Sequence, residues 1–167
     1  MITIPEIMVP LLRDVRTKDE KDILHDQIAK LEATLFRSDP TGIEKILTSQ
    51  FPEELVSAMR NIIHDPLFKD NPEALKNFFK DLRDTTDKLP LLTLIIACKP
   101  TEEMIIRFHK WTQENLGLGI VLDMSYDGSI LGGARIIFGG RYKEMTLAQM
   151  ITDVFKKEKT AVLGIMK

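Results

Sequence analysis

The sequence has little cysteine and little net charge. Cys98 is the one cysteine in 167 residues, so neither an internal disulfide nor a thiolate metal cluster can form, which is typical of a reducing compartment. Lysine and arginine number 23 against 25 aspartate and glutamate residues, so general attraction to nucleic acid or anionic lipid is not indicated. The longest apolar run, residues 89–98, is far shorter than the ~20 residues of a membrane-spanning helix. The N-terminus shows no secretory signal, and any membrane association is expected to be indirect.

Signatures of catalysis are also absent. His25, His64 and His109 stand on different predicted helices and have no metal-ligand spacing. We expect Cys98 to be a buried, inert thiol, because no base can be assigned to it. Asp123 and Asp127 flank the predicted turn, and turn capping explains them better than a catalytic carboxylate pair, because aspartate bonds its own backbone in such turns.

The glycine pairs do not form a phosphate loop, since neither lies between a strand and a helix and no Gly-Lys-Ser/Thr follows. The residues themselves therefore predict no catalytic, cofactor-binding or metal-binding site. The residues favour a protein that is not an enzyme, and they do not indicate any specific activity.

The first half of the chain predicts a small helical bundle. After an N-terminus that Pro5 and Pro10 suggest is extended, four amphipathic helices are separated by polar, proline-bearing joints. Thr17 to Glu20 has the spacing of a capping box and opens the first helix. Asn71-Pro72-Glu73 opens the fourth. We assign residues 1–89 to this bundle.

The second half predicts a compact α/β domain over residues 90–167. The apolar run from Leu91 has the length of a buried strand, and Pro100 and the acids after it begin a helix that ends near Gly117. A second strand over residues 118–124 completes a β-α-β unit with parallel strands. A third strand is expected to return antiparallel across the turn at residues 125–129, as a hairpin. The fold class is α+β, with the order β-α-β-β-(β)-α in this half.

Paired glycines mark two points of this domain. Gly132-Gly133 falls in an apolar stretch and predicts a bulge or a close approach by a neighbouring backbone or helix. Gly139-Gly140 suits a two-residue turn that requires positive φ. A short return strand and a last helix capped by Thr146 or Glu144 should follow. We expect the apolar stripes of the helices to be core, among them those that contain Met59, Met104 and Met150.

Two motifs in residues 91–155 resemble a known family. A strand ends in a small residue and is followed by a proline and an acidic helix start; later, an Ile/Leu-Gly-Gly precedes alternating apolar residues, a glycine, an acid and a hydroxyl. The motif residues, which we interpret as structural or interface positions, are Ala97, Pro100, Gly132, Gly133, Ile136, Gly139, Glu144 and Thr146. In this order they resemble the C-terminal domain of the delta subunit of F-type ATP synthase, the oligomycin-sensitivity-conferring protein of mitochondria. Met145 replaces a family glycine, and Gly140 replaces an acid.

The resemblance implies a linker without a cofactor. In the family, the N-terminal bundle, usually of six helices, binds the alpha subunits of the catalytic alpha/beta head, and the C-terminal domain holds the b-type stalk. The implied role is a non-catalytic stator subunit that supports proton-driven ATP synthesis, cytoplasmic and peripheral to the inner (plasma) membrane through the complex. The sequence predicts four helices in the first half, so no binding residue is transferred to it.

Two alternatives remain open. An E-type peripheral-stalk subunit or a flagellar-export stator protein shares the glycine-bearing α/β end, but those proteins begin with one long helix, which prolines interrupt here. From another class, the α/β half could be a small-ligand-binding or enzymatic domain, because α/β sheets often bind ligands at strand ends. Nucleic-acid binding ranks lower, since the first half is acidic.

Overall fold

Helices come first and an α/β unit follows, so the chain is α+β, as the sequence predicts. The structure is a computed structural model and describes residues 4–35, 40–68 and 71–165. Within these residues the first half has a short 3-10 turn, Glu6–Met8, and five α-helices. They are α1 (Val9–Leu12), α2 (Lys18–Leu35), α3 (Pro40–Gln50), α4 (Glu53–Ile63) and α5 (Pro72–Asp87). The second half consists of β1 (Leu91–Ile96), α6 (Glu102–Asn115), β2 (Val121–Tyr126), β3 (Gly133–Phe138), β4 (Arg141–Thr146) and α7 (Leu147–Ile165).

Side-chain caps begin the helices where the sequence places them. The Thr17 hydroxyl accepts from the Glu20 amide at 3.2 Å, and the Glu20 carboxylate accepts from the Thr17 amide at 3.3 Å, which is a complete capping box for α2. Asn71 caps α5 by accepting from the Ala74 amide at 3.0 Å. These contacts satisfy amide groups that have no partner inside a helix.

The prediction of an extended N-terminus is wrong. Met8, Leu11, Leu12 and Val15 are buried and pack with α2, α4 and α5 in the main core. Their spacing of three, one and three residues is the helical one, and Pro10 is tolerated because it lies in the first turn of α1, where no amide donor is needed. The apolar residues have helical spacing, but the two prolines led to the prediction of an extended segment.

The four strands form one mixed sheet in the order β2-β1-β3-β4. β1 is parallel to β2 and antiparallel to β3, and β3 is antiparallel to β4. The strand directions agree with the prediction, and the predicted return strand β4 is present. The predicted hairpin between β2 and β3 is wrong, because the chain crosses over β1 before β3 pairs. β1 is central and pairs with β2 at one edge and β3 at the other, and its Leu92, Leu94 and Ile96 are buried on one face of the sheet.

The helical half and the α/β half share one core. Val121 at the start of β2 is fully buried in the cluster formed by the helices, and Leu89 belongs to the same cluster. A second cluster lies between α6 and the sheet. The chain changes from helical to α/β between Asp87 and Leu91, where we placed the boundary, and the division into two domains at 89/90 stays a prediction.

Candidate interaction surfaces

The motif residues do not all lie together. Ala97, Gly132, Gly133 and Thr146 meet at one end of the sheet, where the Ala97 amide donates to the Gly133 carbonyl at 3.3 Å and Gly133 pairs with Thr146. Ile136 lies in the middle of β3. Glu144 lies on β4 opposite Arg135, Gly139 is in the turn at the opposite end of the sheet, and Pro100 precedes α6.

Close backbone approach explains the first glycine pair. Gly133 has φ +92°, and a Cβ atom on it would lie 2.1 Å from the Met145 carbonyl oxygen. The predicted approach by a neighbouring backbone is therefore confirmed, although the pair opens β3 rather than interrupting it. Gly132 has ordinary space around it, and its carbonyl accepts from the Leu147 amide at 2.9 Å.

Gly139-Gly140 forms the predicted two-residue turn. The two residues have φ +56° and +74°, positive at both central positions as a type I′ turn requires. This turn joins β3 to β4, so the real hairpin of the domain is β3–β4.

Glu144 is the centre of a polar network on one face of that hairpin. Its carboxylate accepts from the Thr146 hydroxyl at 2.9 Å and from the Tyr142 hydroxyl at 3.0 Å, and Arg135 Nε lies 3.6 Å away. Those hydrogen bonds, helped by the Arg135 charge, hold the pKa of Glu144 below its ordinary value. Hydrogen bonds to charged groups are among the stronger ones, so the network stiffens β3–β4. Thr146, and not Glu144, caps α7 by accepting from the Gln149 amide at 3.2 Å.

Asp127 fixes the loop before β3. Its carboxylate accepts from the Ser129 amide at 2.9 Å and the Ser129 hydroxyl at 2.6 Å, which confirms the turn interpretation. Arg135 reaches it from β3 at 3.0 Å. Asp123 lies within β2 and not at the turn.

The apolar side of α7 is the main exposed feature of the molecule. Its side chains are 44% to 69% exposed, and the expectation that the Met150 stripe is core is wrong. The members are Leu147, Met150, Ile151, Val154 and Phe155. α7 leaves the sheet directly from β4, and little else in the described residues packs against it. Met59, by contrast, is fully buried, and Met104 is half-buried.

An apolar groove of about 750 Å³ lies between α6 and the sheet. α6 packs towards β2, which leaves β3 and the adjoining part of β4 uncovered on that sheet face. The groove is lined by Leu92, Leu94, Met104, Arg107, Phe108, Trp111, Leu116, Ile136, Phe138 and Met145. Arg141 and Lys143 lie opposite Phe138 and Ile136 in the β3–β4 ladder and are exposed. Two positively charged side chains therefore lie along one edge of the groove.

A second groove of about 730 Å³ lies in the helical half. Leu11, Val15, Leu24, Phe51 and Leu55 give it an apolar floor between α1, α2 and the joint of α3 and α4. Asp14, Glu20, Gln27 and Gln50 contribute polar atoms to its walls. It is the size of a site for a short peptide or helix turn.

The expectation that Cys98 is buried is wrong, whereas His109 is buried. Cys98 is exposed, because β1 ends at Ile96 and the thiol lies beyond the sheet. His109 is 8% exposed on α6, where burial and the nearby Arg16 charge lower its pKa. In the part of the chain that the structure describes, no cluster of three histidine, cysteine or acidic side chains could hold a metal ion. Among the same residues, no helix is both long and apolar enough to cross a lipid bilayer.

Sequence reasoning missed the α6 groove and the exposure of α7. Periodicity identifies the apolar side of a helix but does not say what covers it. Comparison with known protein families and with curated proteins finds no match to this sequence.

Proposed function

We propose that the chain is a non-catalytic stator subunit of the delta type, which links the catalytic head of a rotary F-type ATP synthase to its b-type stalk. It would be cytoplasmic and would meet the inner (plasma) membrane only through the complex. The proposal involves no cofactor and no nucleic acid. It rests on the Gly-Gly motif within the β-α-β-β-β-α order of the second half.

The observation that carries the proposal is the uncovered apolar side of α7. Five large apolar side chains exposed on one helix are unusual for a monomer and typical of a surface that binds another protein. Covering a large apolar side chain contributes roughly 1.5–3 kcal/mol when burial is complete. A partner helix is the natural occupant, because side chains three and four apart on α7 form a straight stripe.

The α6 groove supports the same kind of partner. It is apolar along its floor and has Arg107, Arg141 and Lys143 at its edges. A helix with an apolar stripe and acidic flanks would match both features. In our proposal this helix is the end of the b-type stalk.

A linker also needs a contact for the head. The groove of the helical half offers an apolar floor with polar walls, which suits an amphipathic segment of an alpha subunit. The two grooves lie in different halves of the chain, so one partner can occupy each. The residues of the head contact are not taken from the family.

The test is purification of the tagged chain from native membranes. We expect alpha, beta and b-type subunits of the ATP synthase to co-purify. Val154→Glu should remove the b-type subunit, because it places a charge within the apolar side of α7. Thr152→Glu is the matched control, since it adds the same charge on the opposite side of α7 and should retain the b-type subunit.

Other outcomes separate the alternatives. Recovery of vacuolar-type or archaeal ATPase subunits would replace the proposal with an E-type peripheral-stalk role, and recovery of flagellar-export components would replace it with a flagellar stator role. Recovery of none of these three assemblies, with the protein folded, would refute the stator proposal.

A small-ligand site is the second candidate, favoured by the size of the α6 groove. Its volume of about 750 Å³ falls within the range of ligand pockets. A thermal-shift screen against nucleotides and apolar metabolites tests it, because a ligand raises the melting temperature by mass action. A uniform absence of shifts would exclude the compounds screened and favour the stator proposal.

A further inference from the structure

Residues 13–17, here named the strap, cross from the helical half to the outer edge of the sheet. The strap joins α1 to α2. The Leu122 amide of β2 donates to the Arg16 carbonyl at 2.8 Å, and Thr17 forms a parallel bridge with Leu122. The strap therefore covers part of an edge strand that would otherwise present an unpaired amide.

Arg16 holds the strap to both halves. Its guanidinium bonds Glu20 on α2, with Nε 3.1 Å from the carboxylate, and also reaches the Glu102 carboxylate at the start of α6. The pKa of Glu20 is lowered by these contacts, although burial opposes the shift. The single guanidinium of Arg16 thus pairs with two carboxylates and connects α2, the strap and α6.

A second contact of the strap depends on the protonation state of a histidine. The side-chain nitrogen of Gln113 on α6 donates to the Arg13 carbonyl at 2.8 Å. The same nitrogen lies 3.3 Å from Nε2 of His109, one turn earlier on α6. An amide nitrogen can only donate, so Nε2 must be the acceptor and must carry no proton.

Protonation of His109 would break this arrangement. A proton on Nε2 would place two donors against each other. Rotating the amide group by half a turn would satisfy the histidine, but it would bring the Gln113 oxygen against the Arg13 carbonyl, and both are acceptors. The unrotated amide sets two donors against each other, and the rotated amide loses the hydrogen bond from Gln113 to Arg13, so neither orientation satisfies both contacts.

The charged groups around His109 determine the pH range in which it becomes protonated. Burial and Arg16 of the strap lower its pKa, whereas Glu20 of α2 and Asp14 of the strap oppose that change. The net shift is downward, so His109 takes up its proton only when the pH falls below the ordinary histidine range of about 6.5.

We propose that His109 and Gln113 form a proton-sensitive latch that holds the strap on α6 and opens in mild acid. The opening is local, because the shared core at Val121 and Leu89 does not depend on the latch. Its expected consequence is at the edge of β2. The charge that His109 gains acts against Arg16, whose carbonyl accepts from the Leu122 amide, so loosening of the strap frees that amide to pair with another strand.

Nuclear magnetic resonance of the full chain tests the latch by two measurements. The ring-nitrogen shifts of His109 should show Nε2 without a proton at about pH 7.5 and an increased protonated fraction at about pH 5. Hydrogen exchange of the Leu122 amide, corrected for its intrinsic rate and referred to the amides of β3, should show about tenfold less protection at the lower pH. A proton on Nε2 at neutral pH, or equal relative protection at both pH values, would overturn the proposal.

Two variants test whether the pH dependence of Leu122 protection arises from the latch. His109→Gln offers an acceptor that does not titrate, so the pH response of Leu122 should disappear. His64→Gln is the control, because His64 is exposed at the end of α4, and it should keep the response. A response that persists in His109→Gln contradicts the latch. If that variant does not fold, the ring-nitrogen measurement on the unaltered chain still decides.

Discussion

Gly133 pairs with Thr146 across the β3–β4 ladder, in backbone geometry that excludes a side chain at position 133. The next residue pair fixes α7 to the sheet: the Leu147 amide donates to the Gly132 carbonyl at 2.9 Å, and Thr146 caps the helix. The glycine pair therefore lies at the point where α7 leaves the sheet and contributes to its attachment there.

The substitution Gly133→Ala should destabilise the protein. Both the positive φ and the 2.1 Å contact with the Met145 carbonyl act against a Cβ atom. We expect a loss of about 1–3 kcal/mol in the free energy of unfolding, measured in urea. The control is Gly132→Ala, whose Cβ would meet only Leu147 Cβ at 3.8 Å. Equal losses in the two variants would contradict this account of the close approach.

Apart from α1, which was predicted to be extended, the helices could be predicted from the sequence because several of their ends are marked locally. Thr17 with Glu20, Asn71 and Thr101 each act as the caps that their residue types indicate. Capping depends on residues three positions apart, so one sequence contains all the information that it needs.

Strand pairing and exposure depend on contacts between distant residues and could not be predicted in full. The expectation of a β2–β3 hairpin is wrong because β1 lies between the two strands in the sheet. The local sequence around β2 and β3 does not indicate which strands pair. The exposure of Cys98 and Met150 likewise depends on which element covers a surface. The latch contact between Arg13 and Gln113 joins residues that are 100 positions apart.

Asn71 should contribute measurably to stability. Its side chain accepts from the Ala74 amide at 3.0 Å and satisfies a donor at the start of α5. Asn71→Ala should lower the free energy of unfolding by about 1 kcal/mol, measured by thermal or urea unfolding. Asn77→Ala removes the same side chain from an exposed position within α5 and should have a much smaller effect. Similar losses for both variants would show that Asn71 does not act as a cap.

Acid should weaken the protein through Glu144. Its folded-state pKa is lowered by hydrogen bonds from Thr146 and Tyr142 and by Arg135, so the unfolded chain takes up the proton first as the pH falls. The stability that the carboxylate contributes is present above the ordinary glutamate range and is lost as the pH falls through the lowered value. Between about pH 5 and about pH 3, the free energy of unfolding should fall less steeply in Glu144→Gln than in the unaltered chain.

The control for this experiment is Glu114→Gln. Glu114 is exposed, and its carboxylate lies 4.0 Å from Lys110, at the limit of an ion pair. Its variant should retain the acid dependence of the unaltered chain. If Glu144→Gln also retains that dependence, the hairpin network does not contribute to the acid response.

The shared core predicts that both halves unfold together. Far-ultraviolet circular dichroism reports chiefly on the helices, whereas Trp111, the single tryptophan, reports on the α/β half. Because Val121 of β2 is fully buried among the helices, loss of the helical half would expose it and the start of β1. We expect coincident urea transitions by the two signals, and an insoluble or unfolded product from residues 90–167 alone. Separate transitions, with a folded fragment, would mean that the chain consists of two domains that fold independently.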